Sequence, residues 1–261
     1  MPTNHLQGRI VLLTGASSGI GALAARLLAE RGAVPVLAAR SGDKLAAVSA
    51  TIRSEHAVVA CDVRSADSVR AATAYALDRY GRIDALVNNA GYGEFLSFEE
   101  TDLGRFEDMM DVNYMGTVRF CKAVYPFMRS AGAGHIVNVA SIAGKIGTAK
   151  ATGYAASKHA VLGFTNSLRQ ELRGTGIRVS ALNPGPIDTP FFDLADPEGT
   201  YKRNIRRFLM RPEKVAEALV KLLETGRPER DLPWVSAAGA KLIQLFPAWT
   251  AGAAARILNK K

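Results

Sequence analysis

Apolar and polar positions alternate between two patterns along the chain. Short runs rich in Val, Ile, Leu and Ala have strand length: "RIVLLTG" at 9–15, "AVPVLAAR" at 33–40, "AVVACDV" at 57–63, "IDALVNNAG" at 83–91, "HIVNVAS" at 135–141 and "IRVSALNPG" at 177–185. Between them, residues 19–31, 42–54, 65–80, about 99–131 and 152–174 repeat their apolar positions at helical spacing. Strand and helix taking turns predict βαβ units, hence a parallel sheet with helices on both faces. Right-handed crossovers make that a doubly wound, Rossmann-like α/β sheet. No Pro-, Gly- or Ser-rich linker divides the chain, so a single domain is expected. Ligands of such sheets bind beyond the carboxyl ends of the strands.

The first strand ends in "TGASSGIG" and opens into a helix. Gly15, Gly19 and Gly21, with Ser17, Ser18 and Ile20 among them, let the backbone turn tightly against a phosphate at the positive helix end. The same stretch fits G-x-S-x-G, with Ser17 as a hydrolase nucleophile. That reading needs a later acid and a His at a strand end, whereas His135 begins a strand and His159 falls inside a helix. After the second strand, Ala39 stands where a carboxylate would bind a ribose 2′-hydroxyl, and Arg40 follows. A guanidinium there suits a 2′-phosphate, so NADP(H) is expected over NAD(H). Asp62 and Val63 end the third strand, with Asp62 able to meet an adenine amino group or to cap a turn. Asn88, Asn89, Ala90 and Gly91 end the fourth, Ser141 the fifth, and Pro184, Gly185, Ile187 and Thr189 follow the sixth. Tyr154 and Lys158, in "YAASK", lie four positions apart on one helix face.

Composition narrows the picture. Hydrophobic content of 48% with 22% charged residues is globular. Cys61 and Cys121 have neither metal-ligand nor redox spacing, and no metal is expected. The net charge of +9 is scattered apart from "YKRNIRRFLMR" at 201–211, which argues against nucleic acid. The first residues lack the pattern of a signal peptide, and a cytoplasmic location is expected. Residues 186–210, with Phe191, Phe192, Phe208, Leu209 and Met210, read as an apolar lid or as packing on the fold, and favour an apolar-substituted ketone or alcohol as substrate. The tail at 232–261, appended to a dinucleotide-binding and catalytic domain at 1–231, is apolar with interspersed cations. It has no run long enough to span a membrane, and Pro247 is expected to separate two short helices. Docking on the protein, on a sister subunit or peripherally on a membrane are its three readings.

Taken in order, "TGASSGIG", "NNAG", "DVNYMGT", Ser141, "YAASK" and "PGPIDTP" resemble the short-chain dehydrogenase/reductase family, ordinary cytoplasmic type, over residues 8 to about 225. The resemblance implies a seven-stranded sheet, a nicotinamide cofactor and a catalytic tetrad of Asn113, Ser141, Tyr154 and Lys158. It places Asp62 at the adenine, Asn88 beside the cofactor ribose, Thr189 at the carboxamide and Asn113 at a water on the proton path, and a homodimer or homotetramer is expected. Tyrosine ionises at about pH 10, so Lys158 and a cationic nicotinamide are expected to lower that value and make Tyr154 an acid/base. A catalytically silent NADP-binding sensor would use the same glycine loop and Arg40 without needing the tetrad.

Overall fold

A computed structural model of the chain describes residues 5–196 and 199–245. Seven strands, β1 (Ile10–Thr14), β2 (Val34–Ala39), β3 (Ala57–Ala60), β4 (Ala85–Asn88), β5 (Gly134–Val139), β6 (Ile177–Pro184) and β7 (Glu229–Leu232), form one sheet in the order β3-β2-β1-β4-β5-β6-β7. Every pairing is parallel. Chain order reverses between β1 and β4, so a crevice opens at their carboxyl ends.

Helices cover both faces, which is why the strands read as continuous apolar runs. Val11 and Leu13 of β1 face one core, built with α1 (Gly19–Glu30) and α9 (Pro212–Thr225). Ile10 and Leu12 face the other, where Phe120 of α5 (Gly116–Ala131) and Val69 of α3 (Ala66–Tyr80) are buried. Alternation at period two divides the residues of β1 between these cores.

Two helical spans differ from the periodicity. The helix expected over 42–54 is α2 (Gly42–Ser49), started by the Ser41 hydroxyl accepting from the Lys44 N–H. The segment at 99–131 divides into α4 (Leu103–Met110), a π-helical turn (Asp111–Met115) and α5. The sixth covering helix is α6 (Thr152–Glu171), and residues 186–210 form α7 (Phe191–Ala195), α8 (Thr200–Ile205) and a 3-10 turn (Arg206–Phe208). β7 pairs with β6 and leads into α10 (Trp234–Leu245); Pro247 lies outside the described residues.

Candidate active site

Tyr154 and Lys158 occupy successive turns of α6, as their spacing predicts. Lys158 is buried, and its Nζ donates to the Val139 carbonyl at 2.9 Å while standing 5.8 Å from the centre of the Tyr154 ring. The loop after β4 runs hard against that ring: a Cβ on Gly93 would lie 2.7 Å from Tyr154 Cδ2. Phe95 and Phe191 pack beside the phenol with centroids at 6.0 and 5.6 Å, and the Phe95 N–H, donating to the Ala195 carbonyl, ties this wall to the lid.

In the protein alone, burial sets the direction of the Tyr154 shift. Burial pushes the phenol up to about 12, and a hydrogen bond with Ser141 pulls only partly in the other direction. Burial also takes Lys158 down to about 8, with its ammonium turned to a main-chain carbonyl. Ser141, at the end of β5, accepts from the Ala143 N–H at 3.1 Å, and its one proton can serve either the Pro184 carbonyl at 3.2 Å or the phenol oxygen.

Asn113 projects from the π-helical turn. Its Oδ1 accepts from the Tyr92 N–H at 2.9 Å, and its Nδ2 donates to the Tyr92 carbonyl at 2.8 Å and to Ser157 Oγ at 2.9 Å. Ser157 in turn donates to the Tyr154 carbonyl at 2.8 Å. The side-chain atoms thus pin the β4 loop to the turn that carries Tyr154.

The loop behind Ser141 is clamped from the far edge of the sheet. Lys145 Nζ lies 2.7 and 2.8 Å from the carboxylate oxygens of Asp231 and 2.5 Å from Glu229. Asn183 Nδ2 donates to the same two carboxylates at 2.6 and 2.8 Å. Three strand ends are thereby held in one register, with Ser141 above them.

The glycine loop lies at the β1/β4 crevice. Gly15 needs its φ of +64°, and a Cβ there would come within 2.8 Å of Ala90 Cα. Ser18 precedes α1 with no side-chain cap, and no acid occupies the first turn, so the helix start keeps free N–H groups. Ser17 is half-buried and Ile20 packs on the core below the loop. Gly21 lies over Gly15, and Thr189 approaches Gly19 from the lid side, 3.7 Å from where a Cβ would be. Gly185 donates to the Leu232 carbonyl at 2.6 Å, and Ile187 bridges to Met210.

Several expected contacts fall elsewhere. Asn88 is buried in the sheet, where its Nδ2 donates to Asn138 Oδ1 at 2.9 Å, so it does not line the crevice. Asn89 turns its Nδ2 to the carbonyls of Thr14 and Gly15 at 3.0 and 3.2 Å and braces the glycine loop from behind. The Asn89 and Ala90 N–H groups both donate to Thr14 Oγ1. Gly91 does stand in the site, since a Cβ there would be 3.5 Å from Lys158 Nζ. The Val63 side chain is buried against Gly116. Of the lid residues, Phe191 faces Tyr154, Phe192 is buried, Phe208 is exposed and Met210 packs on the core.

At the β2–β3 edge, Arg40 is exposed beside a network that sequence spacing does not reveal. The Asp62 carboxylate is gripped by Arg64, at 2.8 Å from Nη2, and this hydrogen bonding holds it below its ordinary pKa. Arg64 also reaches Asp108 of α4 at 3.1 Å, and the Tyr92 hydroxyl donates to the other Asp108 oxygen at 2.6 Å. Arg40 acts electrostatically on both carboxylates. Only Asp62 announces this network, by its place at a strand end.

The Ser17 hydrolase reading fails on geometry. His135 is buried against Ser180, His159 Nδ1 is engaged by the Ala155 carbonyl in its own helix, and His56 lies beside Ser49.

Comparison with known proteins agrees with this arrangement. The family model described as short chain dehydrogenase matches residues 9–198. An uncharacterized oxidoreductase of Staphylococcus saprophyticus is 39% identical over 224 residues, covering 84% of this chain and 93% of that one. A short-chain dehydrogenase/reductase from Burkholderia phymatum, solved in complex with NAD, superposes with a TM-score of 0.87 at 27% identity, covering 94% of this chain and 96% of that one. A variant of actinorhodin polyketide ketoreductase, solved with NADPH, gives 0.78 at 33% identity over 89% and 97% of the two chains. With the glycine loop at the sheet's switch point and Ser141, Tyr154 and Lys158 gathered beside it, the chain belongs to the short-chain dehydrogenase family.

Proposed function

We propose that this oxidoreductase is NADP(H)-dependent and interconverts an apolar-substituted ketone and its secondary alcohol, with Tyr154 as the acid/base. The convergence of the Tyr154 phenol, the Ser141 hydroxyl and the Lys158 ammonium at one strand edge carries the reading. The residues fit a dinucleotide: an uncapped helix start behind a close-packed glycine turn for the pyrophosphate, Arg40 for a 2′-phosphate, and Gly91 and Thr189 at the nicotinamide end. When bound, the nicotinamide supplies or accepts the hydride.

The chain's own residues do the rest. Ser141 orients the substrate oxygen towards Tyr154 by hydrogen bonding. Tyr154, kept protonated by burial, donates its proton to that oxygen during reduction. Lys158, one turn away, stabilises the anion left behind. Phe95 and Phe191 exclude water and give the reacting carbon an apolar wall.

The test is NADPH oxidation followed against a panel of aldehydes, ketones and diketones, with alcohols in the reverse direction. Turnover of apolar ketones is expected; tight NADPH binding without turnover across the panel would replace the enzyme by a sensor.

The pH profile follows from Lys158. Its depressed pKa means that the ammonium is present below about 8 and is lost above it. The kcat/KM for ketone reduction is therefore expected to hold at lower pH and to fall as pH rises through about 8. A profile unchanged across that point would remove the Lys158 charge from the mechanism.

A further inference from the structure

The helix that follows β7 carries its apolar stripe on the outside. At about 100° per residue, Trp234, Val235, Ala238, Leu242 and Leu245 of α10 share one arc. Trp234 is 75% exposed and Leu245 72%, with Val235 and Leu242 also exposed. On the opposite side Ala240 is buried, and Gln244 next to it donates to the Lys145 carbonyl at 2.6 Å. A surface helix of a soluble fold ordinarily turns its apolar stripe inward, and an exposed patch of this kind marks an interaction site.

The segment that leads into α10 also meets the lid. A Cβ on Gly185 would touch Pro233 at 3.5 Å and Met210 at 3.9 Å, which brings the residues before Trp234 and after Phe208 together. Phe208 and Leu194, both at least 70% exposed, belong to that lid.

Charge selects the occupant. From Pro233 to Lys261 the sequence has no Asp or Glu, while Lys241, Arg256, Lys260 and Lys261 supply cations. Lys241 is exposed at the border of the stripe, and Arg206 is exposed in the lid. Among the described residues no helix is long and apolar enough to cross a membrane. A tryptophan-bearing apolar stripe on a cationic, acid-free segment matches the interface of an anionic bilayer.

We propose that α10 and the adjoining lid edge form a peripheral docking surface for anionic lipid. The helix lies flat, with Trp234, Val235, Leu242 and Leu245 below the headgroups and Lys241 among them. Through Gln244 and Lys145 it sits on the loop that follows Ser141. This surface does not depend on which substrate or coenzyme the site takes.

The test uses the full chain with vesicles of phosphatidylcholine, alone or mixed with phosphatidylserine. Both tryptophans of the chain, Trp234 and Trp249, lie in the acid-free segment, so their emission reports on it directly. Cosedimentation with the mixed vesicles, a blue shift on binding and weakening by salt are expected. The triple variant Trp234→Ser, Leu242→Ser, Leu245→Ser should lose at least about tenfold in partitioning while keeping its melting temperature and its activity on a water-soluble ketone. Absence of binding to the mixed vesicles overturns the proposal, as does equal binding by the triple variant. A wild type that ignores vesicles and a triple variant with fewer subunits by sedimentation equilibrium would make this face an interface between copies instead.

Discussion

Replacing Tyr154 by Phe is expected to lower turnover by about 10² to 10⁴ with little change in dinucleotide affinity. The substitution removes one oxygen and keeps the ring, so the packing against Phe95, Phe191 and Gly93 survives. Lys158 keeps its hydrogen bond to the Val139 carbonyl, and the glycine loop is untouched. What disappears is the proposed proton donor and the hydrogen-bond partner of Ser141. The loss should therefore appear in kcat and kcat/KM together, with the dissociation constant of NADPH, read from its fluorescence, nearly constant. A variant with half the activity of the parent would show that another group moves the proton.

The second large effect concerns coenzyme choice. Changing Ala39 to Asp and Arg40 to Leu should invert an NADPH preference. Removing the guanidinium deletes a charged hydrogen bond of about 1.5 to 3 kcal/mol, roughly ten- to a hundredfold in affinity. The new carboxylate adds repulsion to a 2′-phosphate and a partner for a 2′-hydroxyl. The surroundings sharpen this expectation. Arg40 stands near Asp62 and Asp108, whose charges are partly taken up by Arg64, so losing Arg40 leaves that edge more anionic. The comparison is kcat/KM with NADPH against NADH for both proteins. A parent enzyme that uses NADH equally well would mean that Arg40 serves solvent, and the oxidoreductase assignment would stand without it.

The parts of the fold that could be read from sequence are those where one physical cause dominates. Strands β1 to β6 announce themselves as short, mostly apolar runs, although edge strand β3 leaves Val58 and Ala60 exposed and β5 and β6 carry His135, Asn138, Arg178 and Asn183. β7, "ERDL", does not, because Glu229 and Asp231 are spent on Lys145 rather than on a core. The π-helical turn at Asp111–Met115 escapes periodicity because five residues are too few to establish a period of their own, yet it is what aims Asn113 at Tyr92. Tyr154 and Lys158 were legible because helical spacing alone puts them together. Asn88 and Asn89 were not separable: neighbouring residues leave a strand end in opposite directions, one into the sheet and one under the glycine loop. The upward shift of Tyr154 comes from burial, and its ring neighbours Phe95 and Phe191 reach it from remote stretches of chain, so no local pattern carries that information.

The Lys145 clamp also sets an order of completion during synthesis. Its carboxylate partner at Asp231 leaves the ribosome 86 residues later, an interval of roughly 4 to 17 seconds at about 5–20 residues per second. The glycine loop and its Thr14–Asn89 brace are made well before that, whereas α9, which packs on α1, is completed only a few residues before Asp231. A lysine without its carboxylates resists being enclosed, so the loop bearing Ser141 gains its clamp only when β7 joins the sheet. The last strand of the sheet is therefore what completes the edge that carries Ser141.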